Sequence, residues 1–265
     1  MLIISTSSDG FRRHLPLKGK ASESLSIAYS PRTAGIFLRK IMKIIAKIRT
    51  DFPTKFGIPR QSGLVDELKG TIIFEPEYRN PEALRGLEEF SHIWILWQFS
   101  EAVSDGWSPT VRPPKLGGNT RKGVFATRSP FRPNSIGLSC VRLDGIEHTD
   151  NLGTVLHVAG ADLMDGTPIV DIKPYIPYAD SHPDAVGGFA KDGSEKLNVI
   201  FPENLLSEIP ENKKSALIKV LELDPRPAYQ NDSERIYGFG FAGKEIKFRV
   251  CENTLTVTEV ADFKN

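Results

Sequence analysis

Cysteine is nearly missing from this sequence: Cys140 and Cys251 are the two thiols in 265 residues, far apart and outside any C-x-x-C pair. That excludes a disulfide framework and a thiolate zinc site. Two buried free thiols are expected, because unpaired cysteine is among the most buried residue types. No apolar run approaches the roughly 20 residues of a membrane-spanning helix, so a soluble, reducing, cytoplasmic setting is expected. An excess of either charge sign is also missing. With 34 Lys and Arg against 33 Asp and Glu, any basic surface must be local and balanced elsewhere. No G-x-G-x-x-G follows a strand and opens a helix, which argues against a Rossmann-type cofactor site. The LGGNTRKG run (116–123) lacks the G-K-[ST] ending of a phosphate loop and leads into apolar, strand-like residues. There is no G-x-S-x-G elbow and no H-E-x-x-H. His148, His157 and His182 lack metal-ligand spacing, so no metal is expected. His92, beside an apolar strand, reads as structural.

What is present falls into three stretches. Residues 1–41, rich in Ser, Lys and Arg and poor in acids, read as a disordered extension or as the product of a start assigned too far upstream, since Met42 opens a good strand. From 42 to 182 the pattern is of short strands: MKIIAKIR (42–49), TIIF (71–74), SHIWILWQF (91–99), GVFATR (123–128), IGLSCVRLDGIE (136–147), TVLHVAGAD (154–162) and TPIVDIKPY (167–175). Gly, Asp, Asn and Pro punctuate them at the spacing of a small antiparallel barrel or sandwich. The stretch DFPTKFGIPRQSG (51–63) reads as a loop, and Asn80-Pro81 as the N-cap and first residue of a short helix through Leu87. After a linker (180–195), residues 196–265 predict a small α+β domain. It has a helix over 214–223, a rigid DPRPAY turn (224–229) and a three-stranded meander from RIYGFGF, KEIKFRV and TLTVTEV. The predicted fold class is mainly β, a small barrel followed by this α+β module.

Two clusters carry chemistry. Arg112, Lys115, Arg121, Lys122, Arg128 and Arg132 occupy one stretch without an acid between them, with Phe125 and Phe131 interleaved and Trp107 just before. Cations of this kind neutralise phosphates, and aromatic faces stack unpaired bases. A solvated loop whose arginines bond carbonyls is the plain alternative. The second cluster is acidic: Asp162, Asp165, Asp171 and Asp180, with Lys173 among them. An aspartate accepts bonds from a ribose diol or acts as a base when its pKa is raised. Asp165-Gly166 is equally a turn, and Asp171 equally an ion-pair partner of Lys173. Trp94 and Trp97 read most simply as core residues.

Taken in order, FGIPRQSGL (56–64), LRGLEEFSHIWILWQF (84–99), WSPTVRPPKLGGNTRKGVFATRSPFRPNSIGLS (107–139), DLMDGTPIVDIKPYIPYADS (162–181) and DPRPAY (224–229) resemble the TsaA-like (TrmO) family across residues 42–265. The resemblance implies a small β-barrel catalytic domain, a homodimer, S-adenosylmethionine (SAM) as cofactor and tRNA as partner. The implied reaction is methylation of the exocyclic nitrogen of threonylcarbamoyl-adenosine at position 37, beside the anticodon. It places the cofactor on Gln61, Ser62 and Gly63, on Glu101 and Ala102, on Arg128 and Leu138, and on Ala159, Gly160, Ala161 and Asp162. Ser62 stands where proline is common, and Ser100-Glu101 replaces a His-Gln pair.

Asp162 is the candidate for organising the reaction, as base or as ribose ligand. Arg112, Lys115, Arg121, Lys122 and Arg132 are candidates for the nucleic acid. Arg128, Arg132 or Arg226 is expected to grip the threonine carboxylate, with Asp224 and Tyr229 shaping the same pocket. A SAM-retaining RNA-binding module without catalysis, and a methyltransferase of this family acting on a small metabolite, stand as alternatives.

Overall fold

A computed structural model describes residues 42–102, 106–190, 196–226, 230 and 232–264. The extension 1–41 and Tyr229 lie outside the described residues. Residues from Met42 onward form one compact unit, which is mainly β as the sequence predicts. Six antiparallel strands close into a barrel in the order β1-β2-β7-β6-β3-β8. They are β1 (Ala46–Arg49), β2 (Lys69–Phe74), β3 (His92–Gln98), β6 (Ile136–Thr149), β7 (Gly153–Ala159) and β8 (Pro168–Pro174). Alternation decides which side chains face in. Ala46, Ile48, Ile72, Ile93, Ile95, Val141, Leu156, Val158 and Ile169 fill the interior and are essentially inaccessible. An arm between β3 and β6 carries the short pair β4 (Thr110–Val111) and β5 (Lys122–Gly123).

Behind the barrel, β9 (Asn198–Ile200), β10 (Tyr237–Phe241), β11 (Lys244–Cys251) and β12 (Thr254–Asp262) make a four-stranded sheet. The expected meander is present, and β9 joins it in parallel to β12; three residues are too short to show a period. Short helices α1 (Pro177–Asp180) and α2 (Glu203–Leu206) precede α3 (Glu211–Glu222). Helix α3 contributes Ala216, Leu217, Val220 and Leu221 to the second core, at the i, i+1, i+4, i+5 spacing of one helical face.

Several local expectations are corrected. GVFATR is not a strand: after β5 the chain turns through a 3-10 helix, Val124–Ala126, which buries Val124 alone. The helix expected from Pro81 is two 3-10 turns, Pro81–Leu84 and Leu87–Glu89, separated by Gly86 at φ 84. Its predicted cap is present, with the Asn80 side chain accepting from the Glu82 N–H. Cys251 is exposed and not buried, because it ends β11 at the hairpin, on an outward position. Cys140 is half-buried, and burial, aided by the Asp180 charge, raises its thiol pKa.

The largest departure concerns the loop after β1. Phe52, Val65 and Leu68 are buried, and they belong to the C-terminal core together with Phe239, Phe241 and Phe248. The Phe52 ring meets that of Phe241 at 5.2 Å between centroids. The loop is therefore pinned by the sheet behind the barrel. Gly57 makes this contact possible: it sits at φ 94, and a Cβ there would fall 2.4 Å from the Phe239 ring. Gly57→Ala is expected to lower stability by about 2–5 kcal/mol, combining a left-handed penalty of ~1–2 kcal/mol with overpacking of ~1–3 kcal/mol. A fall in the urea midpoint with an unchanged m-value checks this.

Candidate active site

The anchored loop faces a cavity of about 680 Å³ at one end of the barrel. Its walls come from four segments: Lys55 to Gln61, Trp97 to Glu101, Arg128 to Leu138, and Asp162 to Thr167. These segments lie 24 or more positions apart in sequence, and strand pairing brings them together. Trp97 and Gly137 are cross-strand partners on β3 and β6. The indole lies over the glycine so closely that a Cβ on Gly137 would be 2.2 Å from the ring. From there the indole N–H donates to the Ser139 hydroxyl at 3.0 Å, and that hydroxyl donates to the Asp162 carboxylate at 2.6 Å. Ser139 is 1% exposed, so the middle of the relay from Trp97 to Asp162 is held away from water, while its two ends reach the cavity.

Asp162 is positioned from its own side as well. Gly160, at φ 77, ends β7 and donates its N–H to the Leu68 carbonyl. Its carbonyl receives the Gly63 N–H at 2.9 Å. A side chain on Gly160 would come within 3.2 Å of the Gly63 backbone. Two residues without side chains thus let the 61–63 loop press against the 159–162 segment. The Ser62 hydroxyl accepts the Cys140 N–H at 3.1 Å, which stitches the same loop to β6. Burial raises the Asp162 carboxyl pKa above the ordinary aspartate value. The Ser139 hydroxyl, its own backbone N–H, the Arg128 charge and the Ser62 backbone pull the other way.

Four cations, Lys55, Arg60, Arg128 and Arg132, and two acids, Glu101 and Asp162, line the cavity. Arg128 donates to the Gln61 side-chain oxygen. Arg132 donates to the Thr127 carbonyl at 3.3 Å. Apolar faces come from Phe99, Ile136, Leu138 and Met164. Phe131 and Leu138 are about half exposed at 54% and 48%, which leaves the cavity open to large ligands.

Of the residues singled out from sequence, Gln61, Glu101, Arg128, Arg132, Leu138 and Asp162 line the cavity. Ser62, Gly63, Ala159, Gly160 and Ala161 do not; Ala159, Gly160 and Ala161 are buried beside Asp162, Ser62 is half-buried and Gly63 is exposed. Ala102 closes the 3-10 turn Ser100–Ala102 next to Glu101. The acidic cluster separates. Asp165 pairs with Arg49 and accepts the Thr50 N–H; Asp171 pairs with Lys173 at 2.9 Å; Asp180 takes the Trp94 indole N–H. The basic run separates too. Arg112, Lys115, Arg121 and Lys122 ride on the arm, where Arg121 bonds the Thr110 hydroxyl and Lys122 lies over the Phe189 ring.

Arg226 is outside the cavity lining. It is 8% exposed, and its Nε–Nη2 edge donates two bonds to the Asp224 carboxylate at 2.8 and 2.9 Å. His92 is structural as read, bonded to the Ser91 hydroxyl and packed against Tyr175. Trp97 is more than core: it is a cavity wall. Sequence reading missed Ser139, Gly137, Arg60 and Lys55. A hydroxyl at an inward position of β6, in the G-x-S-x-V alternation, was the available signal for Ser139.

A carboxylate held against its own desolvation, amid arginines and apolar faces in an open cavity, defines a site for a ligand with polar, charged and flat parts. Comparison with known proteins narrows the class. A family model described as the tRNA-methyltransferase O N-terminal domain matches residues 47–181, and one described as the TrmO C-terminal domain matches residues 194–263. The chain is 42% identical over 218 residues to the tRNA (adenine(37)-N6)-methyltransferase of Escherichia coli, covering 78% of this chain and 92% of that protein. It is 44% identical over 202 residues to a putative S-adenosylmethionine-dependent methyltransferase of Pseudomonas aeruginosa, covering 73% and 85%. The crystal structure of TrmO from P. aeruginosa superposes with a TM-score of 0.68 at 34% identity, covering 84% of this chain and 96% of that one. The chain belongs to the tRNA-methyltransferase O family.

Proposed function

We propose that this chain is an S-adenosylmethionine-dependent methyltransferase acting on adenine 37 of tRNA, and that its substrate is the N6 position of threonylcarbamoyl-adenosine. The proposal includes the homodimer that the family resemblance implies. The observation that carries the reading is the relayed, desolvated Asp162 carboxylate inside a cavity ringed by cations. The residues present fit SAM. A volume of about 680 Å³ lies within the range of ~300–1,000 Å³ usual for small-molecule sites. Ile136, Leu138 and Phe99 offer apolar faces for a purine. Gln61 and Glu101 offer acceptors for a ribose or an ammonium group.

When bound, SAM supplies a methyl group activated by its sulfonium. The chain contributes alignment first, since holding two reactants in attack geometry is worth on the order of 7–11 kcal/mol. Asp162 contributes second. Its carboxylate takes the proton from the attacked nitrogen, whose lone pair is otherwise delocalised into adenine and the carbamoyl carbonyl. A positioned base of this kind adds about 10²–10⁴-fold. The basic residues on the arm, Arg112, Arg121 and Lys122 among them, hold the phosphates and keep the RNA in register.

Purified protein incubated with methyl-labelled SAM and tRNA, with or without the threonylcarbamoyl group, tests the proposal. Label is expected in the modified nucleoside alone. Binding of SAM and RNA without transfer would make the chain a regulatory module. Transfer to a small metabolite with little salt dependence would place it outside tRNA chemistry. A tRNA substrate predicts an affinity falling by roughly 0.7–0.9 log units per phosphate contact for each log unit of salt.

A further inference from the structure

We infer that Arg60, and not Arg226, receives the carboxylate of the substrate's threonylcarbamoyl group, and that the Asp224–Arg226 pair positions Arg60 to do so. The inference rests on the substrate proposed above. It starts from how each arginine's charge is used. The Asp224 carboxylate takes the Arg226 Nε and Nη2 at 2.8 and 2.9 Å and its backbone N–H at 3.2 Å. With its Nε–Nη2 edge engaged, its side chain buried and its place outside the cavity lining, Arg226 does not reach a substrate held in the cavity.

Its carbonyl is used differently: it accepts Nη2 of Arg60 at 3.2 Å. Arg60 is exposed and lines the cavity. A carbonyl is neutral, so this bond fixes the guanidinium plane without compensating its charge. Among the described residues no carboxylate pairs with Arg60. Four of its five N–H groups remain for a planar, two-oxygen acceptor.

The other cavity arginines are less suited. Arg128 is bonded to Gln61 and feels the Asp162 charge. Arg132 is half-buried and donates within its own loop, to Thr127.

The turn behind Arg60 is built for holding. Asp224 stands at φ 52, a left-handed conformation that aspartate tolerates better than most residues but that still needs support. Its bonds to Arg226 supply that support, and the turn thereby aims one carbonyl at Arg60. Asp224 and Arg226 are positioning residues in this scheme. The C-terminal module reaches the site through a backbone oxygen.

The test uses the full chain and two anticodon stem-loop RNAs. One carries threonylcarbamoyl-adenosine; the other is identical except that the carboxylate is a carboxamide. The unsubstituted protein is expected to favour the carboxylate in kcat/KM by roughly 10- to 100-fold, the range for one charge-assisted pair. Arg60→Ala should bring that ratio close to one with SAM affinity unchanged, and Arg60→Lys should restore part of it. Asp224→Asn should lower the ratio partway, whereas a merely structural role would slow both RNAs equally and leave the ratio intact. Arg226→Lys provides a second reading of the same link.

An unchanged ratio in Arg60→Ala overturns the inference. So does an equal loss on both RNAs, which would mean a phosphate grip, or a loss of SAM affinity, which would mean a grip on the cofactor's own carboxylate. Collapse of the ratio in Arg132→Ala alone would move the role to Arg132 and likewise overturn it. If the unsubstituted protein methylates neither RNA, the proposed substrate itself is wrong, a failure separate from those four.

Discussion

Gly137→Ala is expected to fold less stably and to lose most of its activity, although it adds a single methyl group. The reason is the cross-strand pairing of Gly137 with Trp97. The new Cβ would sit 2.2 Å from one indole carbon and 2.4 Å from another, inside the distance at which real atoms meet. Backbone on both sides is fixed by the β3–β6 ladder, so the indole must move. Its ring also contacts Phe99, with centroids 4.2 Å apart, and little room exists on that side. Overpacking of this kind lowers stability by about 1–3 kcal/mol. The functional effect is larger because the displaced indole carries the first link of the relay. Without its N–H, the Ser139 hydroxyl is no longer oriented toward Asp162, and the wall beneath the cavity tilts. A misplacement near 1 Å costs about 10²-fold, so a loss of kcat/KM by roughly 10²–10³-fold is expected, accompanied by weaker SAM binding. Trp97→Phe separates the causes: it removes the N–H and leaves Gly137 uncrowded. It should reproduce part of the activity loss with much less destabilisation. Wild-type kinetics in Gly137→Ala would show that neither the indole's position nor the relay matters.

How much of this was legible in the sequence depends on the kind of order involved. Strand alternation exposes the barrel staves, because Ile93 and Ile95 must face one way and His92 the other. The runs around Gln61, Arg128 and Asp162 can be singled out as chemistry-bearing by residue type and by the family resemblance of their motifs. What alternation does not reveal is which strand lies opposite which. Trp97 read as ordinary core because its glycine partner lies 40 positions away, and Ser139 read as an unremarkable strand residue for the same reason. Arg226 looked like a substrate ligand because an arginine in a rigid turn is a plausible grip; that Asp224, two residues before it, would fill its fork is a matter of side-chain geometry. The loop over 51–63 was recognised from its Pro and Gly content, but its attachment through Phe52 to a sheet almost 190 residues further on leaves no local trace. Short elements failed for a simpler reason: three residues, as in β9 or the 3-10 turn after β5, contain less than one period of any pattern.

Asp162→Asn is expected to move stability and activity in opposite directions. An aspartate in the unfolded chain titrates near 3.9. In the folded chain, burial raises the value, so the folded state binds the proton more tightly. The stability this contributes is fully present below the unfolded value and is lost as pH rises through the folded one. At neutral pH the folded protein therefore holds a carboxylate that would be better solvated elsewhere. Asparagine keeps an oxygen to accept from Ser139 and has no charge to desolvate. The variant should be more stable than the parent at pH 7, by on the order of 1 kcal/mol, and the advantage should disappear in acid, where the parent is protonated too. Activity should fall by about 10²–10⁴-fold, the contribution of a positioned base. The parent's kcat/KM should drop on acidification at a pH above the ordinary aspartate range, and the variant should lack that acid limb. Thermal unfolding across pH, read beside the pH–rate profile, separates this from a purely structural role. A structural aspartate would lose stability on replacement at neutral pH and leave the acid limb in place, and either result would remove Asp162 from the chemistry.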